Sequence, residues 1–171
     1  MKINIVLDVE KRLGDPLIKI TIDDYMLLYE GVAQEQFEFD VLLEDGHHEI
    51  KITHYGKTIH HHQLDDNGKI VIDRHVEILG ITLDKVVLKD ELWSGRFFPV
   101  YLHKADHEPY FICPNLYLGH NGTWIMEFST PAIQWLINCR KPGLDLNNTI
   151  FKSGHDVLLQ MKSKFTDFPD V

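Results

Sequence analysis

The 171 residues and formal charge of −9 already exclude several classes of protein. A chain of this length forms one domain, or one domain with an extension, and buries a sizeable core without disulfides. The excess of acidic residues repels nucleic acid and anionic membrane surfaces, because Lys and Arg supply most of the affinity for both. Cys113 and Cys139 are too few for a disulfide framework, and we expect them to be buried free thiols.

Alternating apolar and polar residues fill the first half of the chain, which is typical of strands with one face on a core and one in water. The alternation is clearest in the run IKITI at residues 18–22. Short strands at such spacing predict an all-β, mainly antiparallel fold, a β-sandwich of jelly-roll-like kind. The predicted strands span residues 2–8, 18–22, 25–29, 37–43, 50–54, 70–72 and 76–88.

Turn residues separate these strands. Asp23 and Asp24 predict a turn between two strands, and Asn67 followed by Gly68 predicts a hairpin-type turn. Asp45 followed by Gly46 predicts a hairpin that joins strands 37–43 and 50–54. Gly80, inside a strand pattern, indicates a β-bulge or a close approach of two backbones.

The second half is rich in aromatic residues, and residues 123–129 are its clearest strand. It has more aromatic side chains than a small sandwich core needs, so we expect some at the surface. We divide the chain into a sandwich domain at residues 1–140 (a first half, 1–90, and an aromatic-rich half, 91–140) and a C-terminal extension at 141–171. Residues 153–165 fit a short helix or a strand, and we favour the helix.

The sequence is compatible with two kinds of metal site. Segment 54–75 is rich in His, and His60 and His62 point to the same side if it is a strand, which suggests a transition-metal site or an exposed polar loop. Asp65, Asp66 and Asp73 offer carboxylate oxygens to calcium. The turn signal at Asn67 equally favours a plain loop.

Nucleophilic catalysis has little support, since the sequence lacks the GxSxG, P-loop, GxGxxG and kinase motifs. We therefore predict a protein that is not an enzyme. A metal-dependent hydrolase built on the His-rich segment is the remaining catalytic alternative.

Three runs in residues 18–88 carry a resemblance: IKITIDDYMLLYEG, FEFDVLLEDGHHEIKITHYGK and DRHVEILGITLDKVVL. The order of these runs and their residue patterns resemble the calcium-dependent xylan-binding type of carbohydrate-binding module. The resemblance implies a β-sandwich that binds sugar with calcium. Residues 54–57, HYGK, stand where that family has an Asn-Asp run.

The runs LWSGRFFPVY and PNLYLGHNGTW resemble structural proteins of tailed bacteriophages, especially those of marine cyanobacteria. This resemblance implies a virion protein that attaches to host-surface glycans or decorates the particle. A purely structural cement subunit of the capsid or tail, without sugar binding, is the alternative. The partners implied are other virion proteins, host-surface polysaccharide and further copies of the chain.

For sugar recognition we predict a platform of aromatic side chains that stack on a pyranose face. The candidates are Trp93, Tyr101, Tyr117 and Trp124. The N-terminal residues lack the pattern of a signal peptide, so we expect synthesis in the host cytoplasm and a final location in the virion.

Overall fold

Two five-stranded sheets share one hydrophobic core in a computed structural model that describes residues 1–100 and 116–140. Both sheets lie within the first of two compact units, Met1–Leu136. The domain boundary expected after residue 140 stays a prediction.

The strands are β1 Lys2–Val9, β2 Leu17–Ile22, β3 Met26–Val32, β4 Gln36–Asp40, β5 Gly46–Tyr55, β6 His62–Leu64, β7 Ile70–Asp73, β8 Val76–Leu83, β9 Val86–Leu88, β10 Arg96–Val100, β11 Tyr117–Leu118 and β12 Asn121–Thr130.

The first sheet has the order β11-β8-β1-β4, and β9 also pairs with β8. Ile3, Ile5 and Leu7 of β1 alternate with exposed or half-buried residues, so one face of the strand enters the core. Every pairing in this sheet is antiparallel.

The second sheet has the order β10-β12-β5-β2-β3 and is also antiparallel. Ile20, Ile52 and Trp124 lie in one cross-strand row, and all three are fully buried. Such rows of apolar side chains stabilise the pairing of strands as well as the contact between sheets. The predicted antiparallel β-sandwich is confirmed.

The turn predictions have mixed outcomes. Asp23 and Asp24 adopt positive φ between β2 and β3, and Asn67 and Gly68 lie between the paired strands β6 and β7, so both of these turns are confirmed. The hairpin predicted at Asp45 is wrong, because β4 pairs with β1 in the first sheet while β5 lies in the second. A turn signal records a local change of direction and does not determine which strands pair.

A helix that we did not predict, α1 Ala132–Arg140, follows β12. Pro131 directly precedes the helix, and its carbonyl oxygen accepts hydrogen bonds from the backbone amides of Gln134 and Trp135. Cys139 on this helix is exposed, contrary to the expected buried thiol. Cys113 and the predicted element at 153–165 lie outside the described residues.

Among the described residues, no helix combines the length and the apolar character needed to cross a bilayer.

Gly95 allows a steric test of the core. A Cβ atom at this position would lie 2.2 Å from the indole of Trp124, and the backbone φ of −64° is ordinary. We expect Gly95→Ala to lower the free energy of unfolding by about 1–3 kcal/mol through overpacking. Urea denaturation measures this change in the free energy of unfolding. Gly80→Ala is the control, because a Cβ atom at that position would meet nothing within 4 Å. Equal stability of the two variants would contradict this packing.

Candidate functional site

A row of polar and aromatic side chains crosses the outer surface of the first sheet. Tyr117 of β11 pairs with Glu77 of β8, and Glu77 pairs with Asp8 of β1. Tyr117 is 36% exposed, Asp8 is exposed and Glu77 is half-buried. We call this surface the Tyr117 face and include in it the neighbouring residues Asp73 and His75.

A β-bulge places His75 and Glu77 on this outer surface. The register between β8 and β1 slips by one residue between Gly80 and Ile78. On one side of the slip odd-numbered residues such as Ile81 are buried, and on the other side even-numbered residues such as Ile78 are buried. Without the slip, both His75 and Glu77 would point into the core. The bulge predicted at Gly80 is confirmed.

Tyr117 is held by two neighbours. Its hydroxyl donates to Asp73 Oδ2 at 3.0 Å, and its ring centroid lies 4.5 Å from that of His75 at an interplanar angle of 37°. Burial, together with the negative charge of Asp73, raises the pKa of Tyr117, so its hydroxyl stays protonated and continues to donate. His75 is oriented in turn by Nδ1, which lies 3.0 Å from the carbonyl oxygen of Asp73.

A buried lysine lies beneath this surface. Lys57 is 4% exposed, and its Nζ donates both to Asp73 Oδ1 and to the carbonyl oxygen of Gly119. Burial lowers the pKa of Lys57, and the hydrogen bond to Asp73 opposes this shift. The ammonium therefore joins the end of β7 to the turn that follows Tyr117.

Two further polar residues secure the same turn. The backbone amide of Lys57 donates to Asn121 Oδ1, and Asn121 Nδ2 donates to the carbonyl oxygen of Lys57, each at 2.8 Å. His54 Nδ1 lies 2.9 Å from the carbonyl oxygen of Leu118 and 3.1 Å from that of His120. Because carbonyl oxygens only accept, Nδ1 carries the hydrogen. A rigid support of this kind keeps the exposed groups above it in position.

The His54 ring is neutral in this environment. The residue is fully buried, and Nε2 has no hydrogen-bond partner among the described residues. Burial, reinforced by the charges of Arg74 and Lys57, lowers its pKa to about 4.

The predicted aromatic platform is only partly assembled. Tyr117 lies on the Tyr117 face, and Trp93 is 57% exposed on a separate 3₁₀ turn, Asp90–Ser94. The prediction that Trp124 belongs to the platform is wrong. Its side chain is fully buried in the cross-strand row that joins β12 to β5, so it cannot stack on a ligand. Tyr101 lies outside the described residues.

The predicted calcium set, Asp65, Asp66 and Asp73, does not form a site. Asp65 Oδ1 accepts hydrogen bonds from the backbone amides of Asn67 and Lys69, each at 2.9 Å. Such bonds are typical of an aspartate that stabilises a turn. Asp73 already neutralises an ammonium group. Within the described residues, none of these three aspartates belongs to a converging group of metal ligands. The residues named for calcium therefore do not fit the ion.

The His-rich segment does not bring its own histidines together around a metal. His61 Nδ1 accepts from the Thr58 backbone amide at 2.9 Å, and its Nε2 lies 3.3 Å from Nη1 of the buried Arg74. His60 is exposed on the same 3₁₀ turn, Ile59–His61. Within the described residues only His75 from this segment converges with carboxylates. The polar-loop interpretation fits residues 59–69 better than a hydrolase centre does.

The sequence reasoning missed Asp8 and Glu77 entirely. Both stand at outward positions of amphipathic strands, which is typical of solvated residues. Only the strand register could have shown that they lie side by side.

Comparison with known proteins gives two structural similarities. No protein-family model matches the chain, and no curated protein matches it. The structure of vCBM60 in complex with galactobiose is 14% identical, with a TM-score of 0.45, and the match covers 75% of this chain and 98% of that one. A second vCBM60 structure comes from work on a circular permutation that links two families of calcium-dependent carbohydrate-binding modules. It is 13% identical, with a TM-score of 0.48, and the match covers 73% of this chain and 88% of that one. Both are weak similarities of overall fold.

The buried His54 predicts a loss of stability on mild acidification. Its pKa is about 4 in the folded chain against an ordinary value of 6.5, so the unfolded chain binds more protons between these pH values. Stability is retained above pH 6.5 and falls as the pH drops toward 4, by about 3 kcal/mol for this residue. Urea denaturation across this range measures the slope.

The variant His54→Asn keeps a donor near the two carbonyl oxygens and removes the titration. We expect a flatter dependence of its unfolding free energy on pH, although its stability at neutral pH is lower. The control is His60→Asn at an exposed position, which should keep the wild-type slope. An unchanged slope in the His54 variant would refute the role given to this ring.

Proposed function

We propose that this chain is a non-catalytic β-sandwich module that binds carbohydrate at the Tyr117 face. The observation that carries the proposal is the exposed ring of Tyr117, in register with Glu77 and Asp8 and hydrogen-bonded to Asp73. An aromatic surface beside several carboxylates is the combination that a sugar requires.

A pyranose ring has an apolar face of C–H groups and an equatorial belt of hydroxyls. The Tyr117 ring offers a flat apolar surface to the C–H face of the sugar. The carboxylate oxygens accept charge-assisted hydrogen bonds from the sugar hydroxyls. The bonds from Lys57 and Tyr117 hold Asp73 in place before any ligand arrives. Preorganised groups lower the entropy cost of binding.

The absence of catalytic motifs from the sequence supports a binding role. Trp93 is a second exposed aromatic group that could extend the sugar contact or meet a protein partner.

The setting that we propose is a tailed-phage virion, where the module attaches to host-surface polysaccharide. The support is the resemblance of residues 92–101 and 114–124 to phage structural proteins. A decorating or cementing subunit, without sugar binding, is the second candidate function. Exposed apolar side chains at Trp93 and Val100 favour it, because a partner protein would bury them.

The sugar proposal is tested on a glycan array probed with and without calcium, followed by calorimetry with the best ligand. We expect Tyr117→Ala to weaken binding by roughly 10-fold or more, since truncation removes the stacking surface. Tyr117→Phe keeps the ring but loses the bond to Asp73, so we expect a smaller loss.

The matched control is Tyr25→Ala, since Tyr25 is 77% exposed in the turn between β2 and β3. The affinity of the Tyr25→Ala variant for the glycan should equal that of the wild type. An array without any bound glycan, in either condition, would overturn the sugar proposal and leave the structural role.

The virion setting is tested by pelleting tailed-phage particles that lack this chain after mixing them with the purified protein. We expect the chain to sediment with the particles and Trp93→Ser to sediment less, because the substitution removes an exposed apolar contact. Tyr25→Ser is the control and should behave as the wild type. A chain that stays in the supernatant would exclude attachment to those particles.

A further inference from the structure

Three side chains on the Tyr117 face converge as metal ligands. Asp8, His75 and Glu77 each offer one ligand atom, and these atoms all lie within 4.8 Å of one another. His75 and Glu77 are two residues apart, so the backbone sends both side chains to the same side of the sheet.

The two carboxylates are in an unfavourable arrangement without a cation. Asp8 and Glu77 are directly opposed across β1 and β8. Like charges in directly opposed positions destabilise a pair of strands. Within the part of the chain that the structure describes, neither carboxylate has a salt bridge to Lys or Arg. A bound cation would turn this repulsion into attraction.

His75 is already oriented as a metal ligand. Its Nδ1 must donate to the carbonyl oxygen of Asp73, because that oxygen only accepts. In the neutral ring this leaves the lone pair of Nε2 as the free ligand. Metal-bound histidines almost always have such a second bond, which sets the tautomer and the direction of the ring. The contact with Tyr117 restrains the ring further.

We propose that Asp8, His75 and Glu77 bind one divalent first-row transition-metal ion, such as zinc. Imidazole with carboxylates is a ligand set that suits these ions, whereas calcium takes six to eight oxygen ligands. Three protein ligands leave coordination positions open to water on the exposed side, beside the ring of Tyr117. The site shares no residue with the calcium set predicted from the sequence. It does not depend on the proposed binding of carbohydrate.

The test is calorimetric titration of the full chain, without an affinity tag and freed of metal by a chelator, with zinc chloride. We expect one tight ion per chain in the wild type. Asp8→Asn, His75→Gln and Glu77→Gln should each lower the affinity by at least about 10-fold, because each removes a direct ligand. His60→Gln is the control for adventitious binding to exposed histidines, and it should keep the tight site.

Thermal melting provides a second readout that a merely structural role would not produce. Without metal, Asp8→Asn should raise the melting temperature by roughly 1–4 °C, since it removes the repulsion from Glu77. With zinc, the wild type should gain stability and Asp8→Asn should not. Wild-type affinity in both carboxylate variants, or loss of the tight site in His60→Gln alone, would overturn the proposal.

Discussion

The buried ammonium of Lys57 joins three segments that are far apart in sequence. It binds the Asp73 carboxylate at the end of β7 and the Gly119 carbonyl in the turn after β11, while its own backbone is tied to Asn121 at the start of β12. A buried charge is costly unless it is paired and fully hydrogen-bonded, so this geometry is strongly specified. The position of Tyr117 beside Asp73 depends on this geometry.

The core residues and the residues of the candidate site lie on opposite faces of the strands. Inward residues of both sheets form one apolar core, and the outward residues of β11, β8 and β1 form the Tyr117 face. The bulge at Gly80 makes this separation possible in β8, because it reverses which residues face out partway along the strand. A single extra residue thus brings a histidine and a glutamate to the surface instead of the core.

Two buried basic residues, His54 and Lys57, lie beneath the Tyr117 face. The ammonium group of Lys57 forms a salt bridge with the Asp73 carboxylate. Among the described residues, the carboxylates of the proposed transition-metal site, Asp8 and Glu77, have no such salt bridge to Lys or Arg.

The sequence predicts the period-two strands, the turns at Asp23 and Asn67, and the bulge at Gly80, because these features depend on neighbours along the chain. It also singled out Tyr117 and Asp73, although for separate roles. The sequence does not reveal that these two residues share a hydrogen bond, that Trp124 belongs to the core, or that Asp8 lies opposite Glu77. Those facts follow from strand order and register, which are set by packing between distant segments. The wrong hairpin at Asp45 has the same cause, since β4 and β5 find their partners in different sheets.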